Sequence, residues 1–291
     1  ELDALLEALE TNPESPVAMY REPGGSVFNS LKIAAALGGR SVFSGTCGNA
    51  PGRTKRADKD ALFFRRIAAK RGVECALRTV RGVTGRCLVV QCKGETAVAA
   101  APGAAPLIEA DQFDETLAAG ADCVILEGMA SANEHLTRRI YRFCVARKTA
   151  LALCAATRHG ARCAAAFLRR APGFPDNPLG KDFPVYLFAN RGEGHILRQE
   201  WPEKAPPRDL VYLESAGREG GVLFVGGQSF SWNASPPPAP MMDETGAGDA
   251  FAGAFLTARL GGSPLQDALE TAAKIAATIT AHPLCFLVRA P

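Results

Sequence analysis

Five short apolar runs, Cys123 to Leu126, Ala150 to Leu153, Val185 to Phe188, Leu210 to Leu213 and Val222 to Val225, recur along the chain without polar alternation. A strand with one wet face alternates, whereas an unbroken run suits a strand covered on both faces, and helical patterns lie between several of these runs. That order predicts a mostly parallel sheet layered by helices on both sides. One helix is predicted from Asp58, as its cap, to Gly72, as its left-handed stop. Another opens at the capping box Ser263-Pro264-Leu265-Gln266 and carries Leu265, Ala268, Leu269, Ala272, Ile275, Ala276 and Ile279 on one face. Between residues 83 and 100, Leu88-Val89-Val90 and Thr96-Ala97-Val98 flank Lys93-Gly94-Glu95 as a hairpin does, so a small antiparallel flap is expected there, with Pro16 to Pro23 as a further strand of it.

Near the C-terminus, after Pro236-Pro237-Pro238-Ala239-Pro240, the chain reads Asp243-Glu244-Thr245-Gly246-Ala247-Gly248-Asp249-Ala250-Phe251. Without side chains at Gly246 and Gly248 the backbone can turn several N–H groups toward one point, which makes an anion nest. Phe251, Ala254, Phe255 and Ala258 follow with helical spacing, so the turn sits at a helix N-terminus, where the macrodipole also favours negative charge. Phosphate fits such a place. Asp249 has two readings: a first-turn carboxylate placed for the dipole alone, or a base that takes the proton of an alcohol attacking phosphorus.

Two other phosphate motifs match the chain poorly. The stretch from Gly173 to Lys181 has the wrong spacing for a lysine-bearing P-loop and continues with Asp182. In a dinucleotide fingerprint the third glycine, here Gly253, would stand two places earlier, and the acid about 20 positions on would end a strand. Glu270 instead falls inside a helical pattern. At 291 residues the chain admits one large domain with an accessory piece or two modest domains, and a net charge of +3 is too small to imply nucleic acid by itself. The basic patch Arg53-Thr54-Lys55-Arg56-Ala57-Asp58-Lys59 reads as a solvated loop with some attraction for a polyphosphate. Nine cysteines without a C-x-x-C pair argue for reduced thiols in a cytoplasmic setting, and His135, His159, His195 and His282 are too scattered to form a metal cluster. No apolar run reaches the ~20 residues of a membrane span.

Four separated pieces resemble one family in its own order. Gly24-Gly25-Ser26-Val27-Phe28-Asn29-Ser30-Leu31-Lys32-Ile33-Ala34 resembles the glycine-pair signature of the ribokinase/PfkB small-molecule kinases. Asn190-Arg191-Gly192-Glu193 resembles their N-x-x-E motif, Ser215-Ala216-Gly217-Arg218-Glu219-Gly220 their T-x-G-x-x-G loop with Ser for Thr, and the Asp243 to Asp249 stretch their D-T-x-G-A-G-D signature. Within the family the first signature, with Thr84-Gly85-Arg86-Cys87 and Phe43-Ser44-Gly45-Thr46-Cys47-Gly48, is most similar to adenosine kinases.

The resemblance implies a three-layer, doubly wound α/β core over 24–82 and 107–291, with a small β lid over 11–23 and 83–106. It implies ATP-dependent transfer of the γ-phosphoryl group to a primary hydroxyl of a small molecule, the 5′-OH of adenosine or a related nucleoside. The alternatives it leaves are a sugar kinase and a catalytically weak nucleotide-binding relative. Asp249 would be the base, and Gly246, Ala247 and Gly248 would form the hole for charge on the transferred group. Asn190 and Glu193 would order water around Mg²⁺; Ser215, Gly217 and Gly220 would receive the nucleotide. Gly24, Gly25 and Asn29 would hold the acceptor, and Asp243 would lie beside a monovalent cation such as K⁺. Plain structural readings stand beside these: a strand-end turn for Asn190 and Glu193, a tight turn for Ser215 to Gly220, a helix entry for Gly24 to Asn29. A monomer or homodimer without nucleic acid or membrane partners is expected. Two departures accompany the resemblance. The family's first strand, ending in an Asp, would either lie before residue 1 or be lost with its substrate contact, since Asp3 falls in a helical pattern, and Glu244 stands where the family has Thr.

Overall fold

The computed structural model describes residues 21–92, 95–170, 183–201, 206–207 and 210–281. In chain order the elements are α1 (Ser26–Ala36), β1 (Ser41–Gly48), α2 (Lys59–Lys70), β2 (Val73–Val80), β3 (Arg86–Cys92), β4 (Glu95–Ala101), β5 (Cys123–Glu127), α3 (Glu134–Arg147), β6 (Ala150–Cys154) and α4 (Arg158–Arg170). They continue as β7 (Val185–Asn190), α5 (Arg191–Glu200), β8 (Leu210–Ser215), β9 (Gly221–Val225), β10 (Gln228–Trp232), α6 (Ala247–Leu260) and α7 (Leu265–Ala281), with shorter helical turns between some of them. The described residues form two compact units: 21–24 with Phe43–Ile108, and Gly25–Val42 with 109–281. Residues 43–82, grouped with the core by the sequence reading, cluster with the hairpin strands.

In the larger unit a six-stranded sheet runs β10-β9-β8-β7-β6-β5. β5 to β8 are parallel, and β9 and β10 are added antiparallel, so the mostly parallel sheet expected from the apolar runs is present. All five runs are strands. Alternate residues face opposite layers: Ala152, Tyr186, Phe188 and Leu213 join a cluster with Ile33 of α1, Phe251 and Phe255 of α6 and Leu269 and Ile279 of α7. Leu151, Leu153, Leu187 and Tyr212 are equally buried on the opposite side, where α3 and α5 touch the strands and α4 packs on α5. The result is three layers with the site-bearing loops at the carboxyl ends of the parallel strands.

In the smaller unit β1 pairs with β2, and β3 pairs antiparallel with β4 from Arg86↔Ala101 to Cys92↔Glu95. The expected hairpin is therefore a hairpin, although Lys93 and Gly94 of its turn lie outside the described residues. Of the further strand expected over 16–23, residues 16–20 lie outside the described residues, as does Asp3, and 21–23 carry no strand. Asp58 caps α2 by accepting from Ala61 N–H at 2.8 Å and also accepts from the N–H and Oγ1–H of Thr84 at 2.7 and 2.8 Å. Thr84 Oγ1 in turn accepts from Gly48 N–H at 2.9 Å. One carboxylate thus ties the ends of β1 and the start of α2 to the root of the hairpin.

Candidate active site

β5 to β8 end side by side, with Glu127 opposite Cys154 and Asn190 opposite Ser215 in the register. Parallel strands bring all their carboxyl ends to one edge, so groups far apart in sequence converge there. α6 starts near that edge. Its N-cap is Gly246 at φ 83°, a left-handed conformation that favours glycine, and no side chain caps this end. Ala250 N–H donates to Gly246 O at 2.8 Å as the first helical bond, while Ala247 N–H is taken by Glu244 O at 3.1 Å. Gly248 is exposed, and a Cβ built there would meet nothing within 4 Å, so an anion can reach its backbone. Of the three groups expected to form the anion hole, Ala247 thus has its N–H already engaged.

Asp249 lies one residue further into the helix, and α1 is clamped against it. Asn29 Nδ2 donates to Asp249 Oδ2 at 2.8 Å, and Ser30 Oγ donates to Asp249 O at 2.9 Å. The helices approach this closely because of Gly253, where a Cβ would stand 2.3 Å from Ser30 O. Burial pushes the Asp249 carboxyl above the usual aspartate range, opposed by hydrogen bonds from Asn29 and Ser26 and by the charge of Lys32. Lys32 is only 3% exposed, one helical turn beyond Asn29.

Two more carboxylates stand close enough to feel Asp249. Burial raises the Glu193 carboxyl, Asn190 lowers it through a backbone bond, and the Asp249 charge raises it again. Glu127 is likewise pushed up by burial and then by Asp249. The sequence reading missed Glu127, because a single acid after an apolar run carries no motif; its position at the carboxyl end of a parallel strand was the available signal. Asn190 and Glu193 form a reciprocal capping box at the start of α5: Glu193 N–H donates to Asn190 Oδ1 and Asn190 N–H to Glu193 Oε2, each at 2.9 Å. Glu193 is only 6% exposed.

The glycine loop after β8 makes a turn of 3₁₀ helix at Gly217–Glu219. Gly217 and Gly220 have φ of 58° and 84°, and a Cβ at Gly220 would meet Trp232 O at 2.0 Å, so that position accepts glycine alone. Ser215 Oγ reaches Ala189 O at a long 3.5 Å. Gly25, at φ 107°, is the N-cap of α1, with open space where a Cβ would point; Gly24 before it is exposed and equally open. Asp243 Oδ1 accepts from Thr245 N–H at 2.8 Å, holding the turn that precedes Gly246.

These residues suit a nucleotide phosphate and a water-clad Mg²⁺. The uncapped helix start and the open backbone at Gly248 offer donors to an anion, whereas Glu193 is a single buried carboxylate instead of a ligand set. Among the described residues no three His, Cys, Asp or Glu side chains are grouped to hold a metal outright, so a divalent ion here needs phosphate and water for most of its shell, as Mg²⁺ tolerates. No helix among the described residues is long and apolar enough to cross a membrane.

Residues 212–287 match the model of the pfkB family carbohydrate kinases. No curated protein matches the chain by sequence. Among solved structures, adenosine kinase from Sinorhizobium meliloti superposes with a TM-score of 0.77 at 20% identity, covering 97% of this chain and 83% of that one. A probable sugar kinase from Rhizobium etli CFN 42 gives 0.78 at 20% identity, covering 97% and 82%. Ribokinase from Cryptococcus neoformans var. grubii serotype A, solved with ADP, gives 0.69 at 18% identity, covering 93% and 87%. The fold is that of the ribokinase-like kinases, in agreement with the resemblance drawn from the motifs.

Proposed function

We propose that this chain is a phosphotransferase that moves the γ-phosphoryl group of ATP to a primary hydroxyl of a small molecule, and that the acceptor is the 5′-OH of adenosine or a close nucleoside. The observation that carries the reading is Asp249: a carboxylate in the first turn of an uncapped helix, held at 2.8 Å by Asn29 from the glycine-pair motif. The acceptor hydroxyl gives its proton to Asp249 as its oxygen attacks phosphorus, and the bond to the ADP leaving oxygen breaks. Gly246 and Gly248 receive the charge on the transferred group; a preorganised donor of this kind contributes about 3 to 4 kcal/mol to the transition state. Asn29, besides orienting Asp249, stands where an acceptor hydroxyl needs a partner. Gly25, at the same helix start, lets the acceptor approach the backbone, with Gly24 beside it. Ser215, Gly217 and Gly220 lie along the nucleotide. Asn190 positions Glu193, which would order the water held by Mg²⁺; when bound, the ion would supply positive charge to the phosphates. K⁺ beside Asp243 belongs to the same reading.

The likeness to an adenosine kinase and to sugar kinases sets the test. ADP formation and phosphorylated product are measured for adenosine, other nucleosides, ribose and fructose with Mg·ATP. Turnover of adenosine above the others supports the reading. Preference for ribose or fructose moves the acceptor to the sugars, and product from none of them, with ATP bound, contradicts catalysis.

A further inference from the structure

The two loops proposed to face the nucleotide phosphates are joined by charge. The 3₁₀ turn after β8 carries adjacent opposite charges, and each reaches the start of a different helix. Glu219 accepts from Arg191, the first residue of α5, at 2.6 Å, and this partner holds its carboxyl below the usual glutamate range. Arg218 turns the other way: its Nε lies 3.6 Å from Glu244 Oε1, and its Nη2 lies 3.4 Å from Met241 Sδ. Glu244 stands two residues before the Gly246 N-cap, and its own carbonyl accepts from Ala247 N–H. A full negative charge therefore sits at the rim of a site that must admit polyphosphate. An exposed pair of this kind adds little to folding stability, so its effect would be felt chiefly by a charged ligand at the same rim.

We infer that Arg218 is a positioning residue that cancels Glu244, so that phosphate binding in this chain tolerates an acid at the rim. The inference rests on the nucleotide-binding reading above. Removing Arg218 leaves Glu244 to repel each incoming phosphate, and removing both charges restores the original balance. The effect is electrostatic at a wet surface, so it is expected to be a few-fold at low ionic strength and to fade as salt shortens the screening length.

The test is a double-mutant cycle by titration calorimetry at low salt, with ATP and with inorganic tripolyphosphate, which has no base or ribose. The expected results are binding weakened about three- to ten-fold in Arg218→Ala, unchanged or tightened in Glu244→Gln, and within about two-fold of wild type in the double variant. The same ratios are expected for both ligands. A double variant as weak as Arg218→Ala overturns the inference, because the arginine then acts on the ligand or the loop directly. An Arg218→Ala variant that binds like wild type overturns it as well. Wild-type protein that binds neither ligand overturns the nucleotide reading itself, an outcome distinct from wild-type binding without coupling.

Discussion

Lys32 sits on α1 one turn past Asn29, almost fully buried, and its charge is one of the influences that keep Asp249 from rising further. A base acts only when ionised, so turnover should fall as the pH drops through the raised Asp249 value, at a pH above the ordinary aspartate range. Lys32→Met removes the opposing charge and should move this acid limb to higher pH. The variant and wild type should converge at alkaline pH, where both bases are ionised; a pH profile of kcat checks this. A uniform loss at every pH would instead indicate a packing defect. A lysine inside a helical pattern reads from sequence as a solvated side chain, and only the packing of α1 on α6 places it beside the acid.

At the scale of elements, two joints carry the geometry. Gly253 lets α1 and α6 touch, and a methyl group at 2.3 Å from Ser30 O would force them apart. Gly253→Ala should therefore lower both Tm and kcat, the latter through the Asn29–Asp249 contact, with overpacking costing about 1 to 3 kcal/mol. In the smaller unit Asp58 accepts three hydrogen bonds while 8% exposed. Burial opposes its charge, but bonds from Ala61 and Thr84 and the nearby Arg86 win and hold its carboxyl below the usual range. Asp58→Ala should cost about 2 to 4 kcal/mol by denaturant unfolding, the loss of a cap together with orphaned donors at Thr84. The cap at Asp58 and its stop at Gly72 were legible because capping chemistry is local. The five core strands were legible because strands covered on both faces must be apolar throughout. β10 was not: Gln228-Ser229-Phe230-Ser231 lies on an exposed edge, where nothing forces an apolar sequence. β1, half-exposed and broken by Ser44 and Gly45, likewise lacks an unbroken apolar run; β2 instead alternates Val73, Cys75 and Leu77 with Glu74, Ala76 and Arg78, the pattern of a strand with one wet face.

For the whole molecule, the acids near the carboxyl edge and the acid at the hairpin root pull stability in opposite directions. Asp249, Glu193 and Glu127 titrate higher in the folded chain, so the native state binds more protons than the unfolded one across that window, and stability falls as pH rises through it. Asp58 titrates lower when folded, so its contribution is present above the unfolded value and is lost as pH falls through the folded one. Stability should peak at mildly acid pH. Asp249→Asn should raise Tm at neutral pH, with the gain shrinking toward acid, a cost of function that thermal melts across pH can detect. The motif pieces that point to this chemistry lie far apart in the chain, and the family match spans only 212–287, yet the fold likeness covers nearly the whole length. Sequence could order the motifs; only the sheet brings Glu127, Asn190, Ser215 and the start of α6 to one edge. The role of Asp249 as base of phosphoryl transfer is tested most directly by single-turnover transfer from γ-labelled ATP to adenosine, in wild type and Asp249→Asn at matched nucleotide occupancy. The variant should bind ATP normally and transfer about 10²- to 10⁴-fold more slowly; transfer at a rate near that of wild type would contradict the assignment of Asp249.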